Sequence, residues 1–286
     1  MEDAVAPARH IASTRIVAVR AGEIEIRSDV VVAEEPLEIR ASGPGQEPVA
    51  VAITMRTPGN EIELALGFLR TEGLIEGDEF EKAQFGDPGS LSAPDDTILI
   101  RLNRPFDGSK VAQRNFVATA SCGICGKASI DAVAVLARPI PPGPVVTPAV
   151  LLGLPASLRE AQRVFEATGG LHAAGLFTPE GELVAIREDV GRHNALDKLV
   201  GSQVIGRRLP LNDRLLMVSG RVSFEIVQKA AVAGIPIMAA VSAPSSLAVE
   251  AAERFGVTLV GFLRDDRFNV YSHDSRVELG ALVSPA

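Results

Sequence analysis

The chain has no tryptophan, and aromatic residues make up only 4% of it. A core built on large rings is therefore excluded. Burial falls to Ala, Val, Leu and Ile, within a hydrophobic fraction of 47% that needs no covalent staples. Thiols are almost as scarce, since 286 residues hold two cysteines, Cys122 and Cys125. Positive charge is in deficit, with a formal net charge of −8. That argues against a general nucleic-acid binder or a protein of anionic membrane surfaces, although a small basic patch can still grip one phosphate. Met1 to Arg15 contains no apolar run of the kind a secretory signal needs. The long uncharged stretch from Ala230 to Val249 contains Pro236 and Pro244, and reads as a strand entering a helix rather than a membrane span. Two close cysteines without a signal fit a reducing cytoplasm. No internal repeat and no low-complexity tract is present.

Residues 1–14 read as a tail. Period-two alternation and β-branched runs predict short strands at 16–19, 23–26, 30–32, 37–40, 49–55, 83–85, 97–102 and 116–118. One amphipathic helix starts after Thr57-Pro58-Gly59-Asn60 and closes near Gly73. Residues 15–118 are thus expected to form a smaller, mainly antiparallel α+β domain. Residues 119–146 carry the cysteine loop, a helix at 127–136 and a linker with four prolines between Arg138 and Pro144. Residues 147–286 alternate helix and strand, which predicts an α/β domain with parallel strands and helices on its faces. The expected helices there lie at 147–168, 192–204, 224–233 and 245–255. The expected strands lie at 171–177, 182–186, 215–218, 235–241 and 258–263.

The densest chemistry is Ser121-Cys122-Gly123-Ile124-Cys125-Gly126-Lys127. A thiolate is favoured near a helix N-terminus or a cation, and the helix expected after Gly126 and Lys127 would supply both. Four uses compete. Structural zinc needs about four ligands, but no second CxxC exists and the four histidines are scattered. An iron–sulfur cluster would need thiols from a second subunit. A thioredoxin-like redox pair should follow a strand inside a βαβ unit. A persulfide carrier would use a thiolate to displace sulfane sulfur from a donor, by the logic of thiol–disulfide exchange. The bland reading is a pair of small buried hydrophobes, against which the glycines and polar neighbours weigh.

Four further segments sit at predicted strand ends. Arg187 to Lys198 contains Asp189, a helix-capping candidate, and His193 with Asp197 at i, i+4, a candidate oriented imidazole. Ser219-Gly220-Arg221 is small and cationic, suited to an anion held on backbone N–H groups and a guanidinium. Ser242 to Ser246 offers hydroxyls at a helix start. Phe262, Leu263, Arg264, Asp265, Asp266 and Arg267 combine an aromatic ring with two guanidiniums, a set able to stack on a base and hold phosphates. Each alone also reads as capping or a charged turn. Together they favour a nucleotide-like ligand at one sheet edge.

The ordered set of motifs resembles a known family. Thr57-Pro58-Gly59, Glu63 to Leu69 and Thr71-Glu72-Gly73 come first, followed by the cysteine loop. Thr168 to Ala174, Glu188 to Lys198, Ser219-Gly220-Arg221, and residues 236–246 and 261–271 complete the series. The chain resembles the formate dehydrogenase accessory sulfurtransferases over about residues 15–272. The resemblance implies transfer of sulfur from a cysteine desulfurase to the molybdenum (or tungsten) bis(molybdopterin guanine dinucleotide) cofactor, destined for the catalytic subunit of a formate dehydrogenase. It implies Cys122 as the persulfide carrier, Cys125 as auxiliary, and Phe262 to Arg267 as a cofactor-binding segment, with Ser219, Gly220, Arg221 and His193 beside it. GDP should mimic the cofactor. The implied fold is a cytidine-deaminase-like three-layer C-terminal core plus a smaller domain, α+β overall, in a cytoplasmic homodimer. Deamination itself is improbable here: no histidine is followed by x-Glu, and Ser121 rather than proline precedes Cys122. Two alternatives remain open at this point, a passive cofactor-binding chaperone with a redox CxxC and a thiol-disulfide oxidoreductase.

Overall fold

A computed structural model describes residues 10–87, 89–112, 140 and 142–280. Cys122, Cys125, the strand expected at 116–118 and the helix expected at 127–136 lie outside the described residues.

Strands β1 (Ile11–Arg20) and β2 (Glu23–Val32) form a two-stranded antiparallel ribbon of their own. The strands expected at 23–26 and 30–32 are therefore one, and β1 begins inside the segment expected as a tail. Ala21 and Gly22 turn the chain with φ of 48° and 89°, the positive values that a tight two-residue hairpin demands.

A second sheet has the order β4-β3-β6-β5, from β3 (Glu35–Ser42), β4 (Val49–Arg56), β5 (Phe80–Phe85) and β6 (Thr97–Leu102). Helix α1 (Glu61–Thr71) connects β4 to β5. The sheet is mainly antiparallel, as expected, in its β3–β4 and β5–β6 pairings, but β3 and β6 between them run parallel. The chain passes through α1 and β5 before it returns, which lets β6 enter in the direction of β3. Leu37, Ile39, Ile98 and Ile100 are fully buried, in one cluster with Leu64, Leu66 and Leu69 of α1.

After α2 (Ser109–Ala112), helices α3 (Pro148–Ala161) and α4 (Arg163–Thr168) replace the single helix expected at 147–168. The break falls at Gln162, which leaves helical geometry with ψ 71°. The Glu188 carboxylate accepts from the N–H groups of Val164 and Phe165 at 3.2 and 3.0 Å, so a carboxylate from elsewhere in the fold caps the second helix.

The third sheet has the order β12-β11-β10-β9-β7-β8. Its strands are β7 (His172–Phe177), β8 (Leu183–Asp189), β9 (Leu215–Val218), β10 (Ile237–Ala240), β11 (Thr258–Arg264) and β12 (Arg267–Ser272). Between them run α5 (Arg192–Ile205), α6 (Phe224–Val232) and α7 (Ser246–Phe255). Strands β9, β10 and β11 are parallel, and the other pairings are antiparallel. Alternate residues serve the two faces. Ala174, Leu176, Leu216, Val218 and Met238 join α5, α6 and α7, whereas Ala173, Phe177, Leu215, Met217 and Ile237 join α3. Three layers result. The first of these clusters runs on through α1 to the second sheet, so both sheets share one core.

Candidate functional site

Strand direction gathers the candidate residues. The parallel strands β9, β10 and β11 end at one edge of the sheet. Because β7 is antiparallel to β9, it begins there, with His172 opposite Asp189 in the register. The loops of this edge are tied to one another. Val222 N–H donates to Ala243 at 3.1 Å, Ser245 N–H donates to Val222 at 3.0 Å, and Phe262 N–H donates to Ser242 at 3.2 Å. The Ser242–Ser246 segment thus bridges Ser219-Gly220-Arg221 to the Phe262 hairpin. Ser219 continues the sheet: its hydroxyl accepts from Ala173 N–H at 2.9 Å, and its own N–H donates to the Ala173 carbonyl at 3.0 Å. A Cβ on Gly220 would lie 3.3 Å from His172 Nδ1 and 3.8 Å from Arg192 Cδ. Arg221 is exposed.

Residues 262–267 are the tip of the β11–β12 hairpin. Sequence reading assigned no strand to 267–272, because the charged run Arg264 to Arg267 masks the alternation. The pairing register shifts between Gly261 and Arg264, a bulge that re-aims the strand. Phe262 has φ 53°, unusual for a residue with a bulky side chain, and Asp265 has φ 52° at the turn. The Phe262 ring is half-buried, with the Arg264 guanidinium 5.8 Å from its centre. Arg264, Asp265, Asp266 and Arg267 are exposed, whereas Leu263 is fully buried in the core on the α3 face. The side chain of Leu263 therefore anchors the hairpin, and its neighbours face solvent.

The Arg187–Lys198 segment fastens the two halves of the chain. Arg187 forms a bidentate pair with Glu63 of α1. The fully buried Asp189 carboxylate accepts from Gly191 N–H (2.8 Å), Asn194 Nδ2 (3.0 Å) and Thr57 N–H (3.1 Å), and pairs with Lys198 Nζ at 2.7 Å. Lys198 Nζ also donates to the Thr57 carbonyl at 2.8 Å. Both Asp189 oxygens and the Lys198 ammonium are thus matched, as burial requires.

Asp197 does not orient His193. It is buried against Lys229, whose Nζ approaches both its oxygens at 2.9 and 3.0 Å, and it accepts from Thr71 Oγ1 at 2.7 Å. Burial disfavours the Lys229 ammonium, but the Asp197 and Glu72 carboxylates outweigh it and hold its pKa above the ordinary lysine value. The partner of His193 is Glu225, with Oε2 2.9 Å from Nε2, and Ser223 Oγ lies 3.3 Å from the same nitrogen. Acid and hydroxyl on one nitrogen do not make a nucleophilic triad, which needs them on opposite nitrogens.

Sequence reasoning missed two residues, His172 and Arg192. Burial, together with the positive charges of Arg192, His193 and Arg221, holds the His172 pKa below its ordinary value of 6.5, against the opposing charge of Asp189. His172 also lines a cavity of about 300 Å³ with Phe165, Gly169, Gly170, Leu171 and Ser219. The available signal was positional: both residues lie within motifs already quoted, at junctions between strand and helix. A second cavity of about 300 Å³, near Gln203, Arg208 and Arg214, holds none of the expected residues.

Residues 32–278 match the model of the FdhD/NarQ family. Sulfur carrier protein FdhD of Streptomyces avermitilis is 50% identical over 275 residues, which cover 93% of this chain and 95% of that protein. Sulfur carrier protein FdhD of Sulfurisphaera tokodaii is 46% identical over 253 residues, which cover 88% and 93%. A crystal structure from Desulfotalea psychrophila, described as a formate dehydrogenase accessory protein, aligns with a TM-score of 0.71 at 25% identity, over 93% of this chain and 99% of that one. The chain belongs to the FdhD/NarQ family.

Proposed function

We propose that this protein is a sulfur carrier in formate dehydrogenase maturation. It would accept sulfur from a cysteine desulfurase and deliver it to the molybdenum (or tungsten) bis(molybdopterin guanine dinucleotide) cofactor before that cofactor reaches the dehydrogenase. The cofactor is cargo in this reading, not a resident group. The observation that carries it is the meeting of Ser219, Gly220, Arg221 and His193 at one sheet edge, with the Phe262–Arg267 hairpin tied to them through Ser242. Relatives at 46% and 50% identity named as sulfur carriers support the same reading.

The first step is a displacement at sulfur. The Cys122 thiolate attacks the outer sulfur of the desulfurase cysteine persulfide. A new S–S bond forms at Cys122, and the electron pair of the broken bond leaves on the desulfurase thiolate. Sulfane sulfur changes hands with no external oxidant. Cys125 would serve as the auxiliary thiol. Guanine and diphosphate groups would be held by Phe262, Arg264 and Arg267 at the hairpin and by the amides and guanidinium of Ser219 to Arg221. The protein would work in the cytoplasm as a homodimer.

The test is maturation in cells that carry Cys122→Ala in place of the native chain. Formate dehydrogenase activity should be lost, while the amount of dehydrogenase polypeptide is unchanged. Full activity in those cells would remove Cys122 from the pathway.

A further inference from the structure

Among the described residues, the two arginines around His172 have no carboxylate partner. Among the described residues, the buried Arg192 Nε makes no hydrogen bond and Arg192 forms no carboxylate pair. Arg221 is exposed and likewise has no carboxylate partner among the described residues. The carboxylates nearby are already engaged. Asp189 is held by Lys198 and three N–H donors, and Glu225 is paired with His193. In a chain of net charge −8, two guanidiniums without an acid among the described residues, beside a half-buried imidazole, form a local inversion of sign. The backbone at Gly220 is bare next to both His172 and Arg192, where any side chain would fill the space between them.

We propose that Arg192, Arg221 and His172 form a subsite for a phosphoryl group, and that His172 takes up a proton when that group binds. Two guanidinium forks match a tetrahedral dianion better than a single carboxylate. Without a ligand, burial first and then Arg192, His193 and Arg221 oppose protonation of His172, while Asp189 favours it. A bound dianion cancels the repulsion from the two guanidiniums and adds an acceptor. The imidazole then gains a proton from solvent and donates a second charged hydrogen bond. Lys198 holds Asp189, and Glu225 holds His193, so His172 is the group left to respond.

This inference rests on the cofactor reading of the same edge and assigns the diphosphate end of that cargo. The experiment is calorimetric titration of the full chain with GDP, with guanosine and with inorganic phosphate. Arg192→Gln and Arg221→Gln should each weaken GDP binding by about tenfold or more, the scale of a charge-assisted contact, and leave guanosine binding unchanged. Titrations in buffers of different ionisation heat should show proton uptake by the native chain below neutral pH and none by His172→Gln. If Arg192→Gln unfolds, the exposed Arg221→Gln carries the test alone. Native binding of GDP that neither arginine variant alters would overturn the subsite and leave the cofactor reading standing. Failure of the native chain to bind GDP or phosphate would overturn both.

Discussion

Gly67 of α1 and Gly201 of α5 meet backbone to backbone. A Cβ added to Gly67 would lie 1.8 Å from the Asp197 carbonyl oxygen, and one added to Gly201 would lie 1.8 Å from the Glu63 carbonyl oxygen. The two helices therefore cross at a distance that only glycine permits on both sides. This crossing carries the load between the halves of the chain. On α1 it sets Glu63 against Arg187; on α5 it holds the helix whose first turn contains Arg192 and His193.

Gly201→Ala should destabilise the fold despite the better helix propensity of alanine. The propensity gain is about 1 kcal/mol, while an unaccommodated methyl against a backbone carbonyl costs about 1–3 kcal/mol and forces the helices apart. Thermal unfolding should show a melting temperature lower by several degrees. An unchanged or higher melting temperature would mean that the helices do not cross this closely.

Lys198→Met should cost about 3–5 kcal/mol, because it leaves the Asp189 carboxylate charged and buried without its cation. The double variant with Asp189→Asn should lose less than the sum of the two single losses. Urea unfolding of all four chains measures the coupling. Additive losses would show that the pair does not interact as its 2.7 Å separation requires.

The His172 pKa is lowered in the folded chain from 6.5, by burial first and by Arg192, His193 and Arg221 after it. The unfolded chain then binds this proton more readily than the folded one, so stability falls as pH drops through and below 6.5. His172→Gln should flatten the pH dependence of the melting temperature in that window. The measurement belongs in phosphate-free buffer. Identical slopes for the two chains would show that His172 does not carry the effect.

Phe262 holds φ 53° at a position where glycine would be relaxed. Phe262→Gly should relieve about 1 kcal/mol of backbone strain, offsetting much of the loss of a half-buried ring. The melting temperature should move little while affinity for GDP drops. A large loss of stability with unchanged GDP affinity would identify Phe262 as a packing residue alone.

Much of this architecture could be read from residue order. The Thr57-Pro58-Gly59 start of α1, the glycine at the β8–α5 junction and the β–α alternation after residue 171 all carry local signals of turn chemistry. Asp189, expected to cap α5, does not: Gly191 is the N-cap without a side-chain cap, and the Asp189 carboxylate is held by Lys198 and three N–H donors. What stayed hidden was non-local. The parallel pairing of β3 with β6 depends on a crossover, not on either strand. Helices α3 and α4 separate because Glu188 reaches them from β8. Helical spacing suggested His193 with Asp197, but Lys229 on another helix claims Asp197, and Glu225 takes its place. Strand β12 was obscured by the charged tip that makes its hairpin a candidate ligand contact. Among the candidate residues, Ser219, Gly220, Arg221 and the 262–267 segment were legible from small or cationic residues at strand ends. His172 and Arg192 were not, since their significance lies in a half-buried imidazole beside a guanidinium that has no carboxylate partner among the described residues, a juxtaposition only the folded chain shows.

The central claim is that Cys122 carries sulfur, and intact-mass analysis of the full chain tests it most directly. After incubation with a cysteine desulfurase and cysteine, the native protein and Cys125→Ser should gain the mass of a sulfur atom that a reductant removes, and Cys122→Ser should gain none. A native chain that emerges with its mass unchanged, or a Cys122→Ser chain that still takes up the reducible atom, would contradict the account.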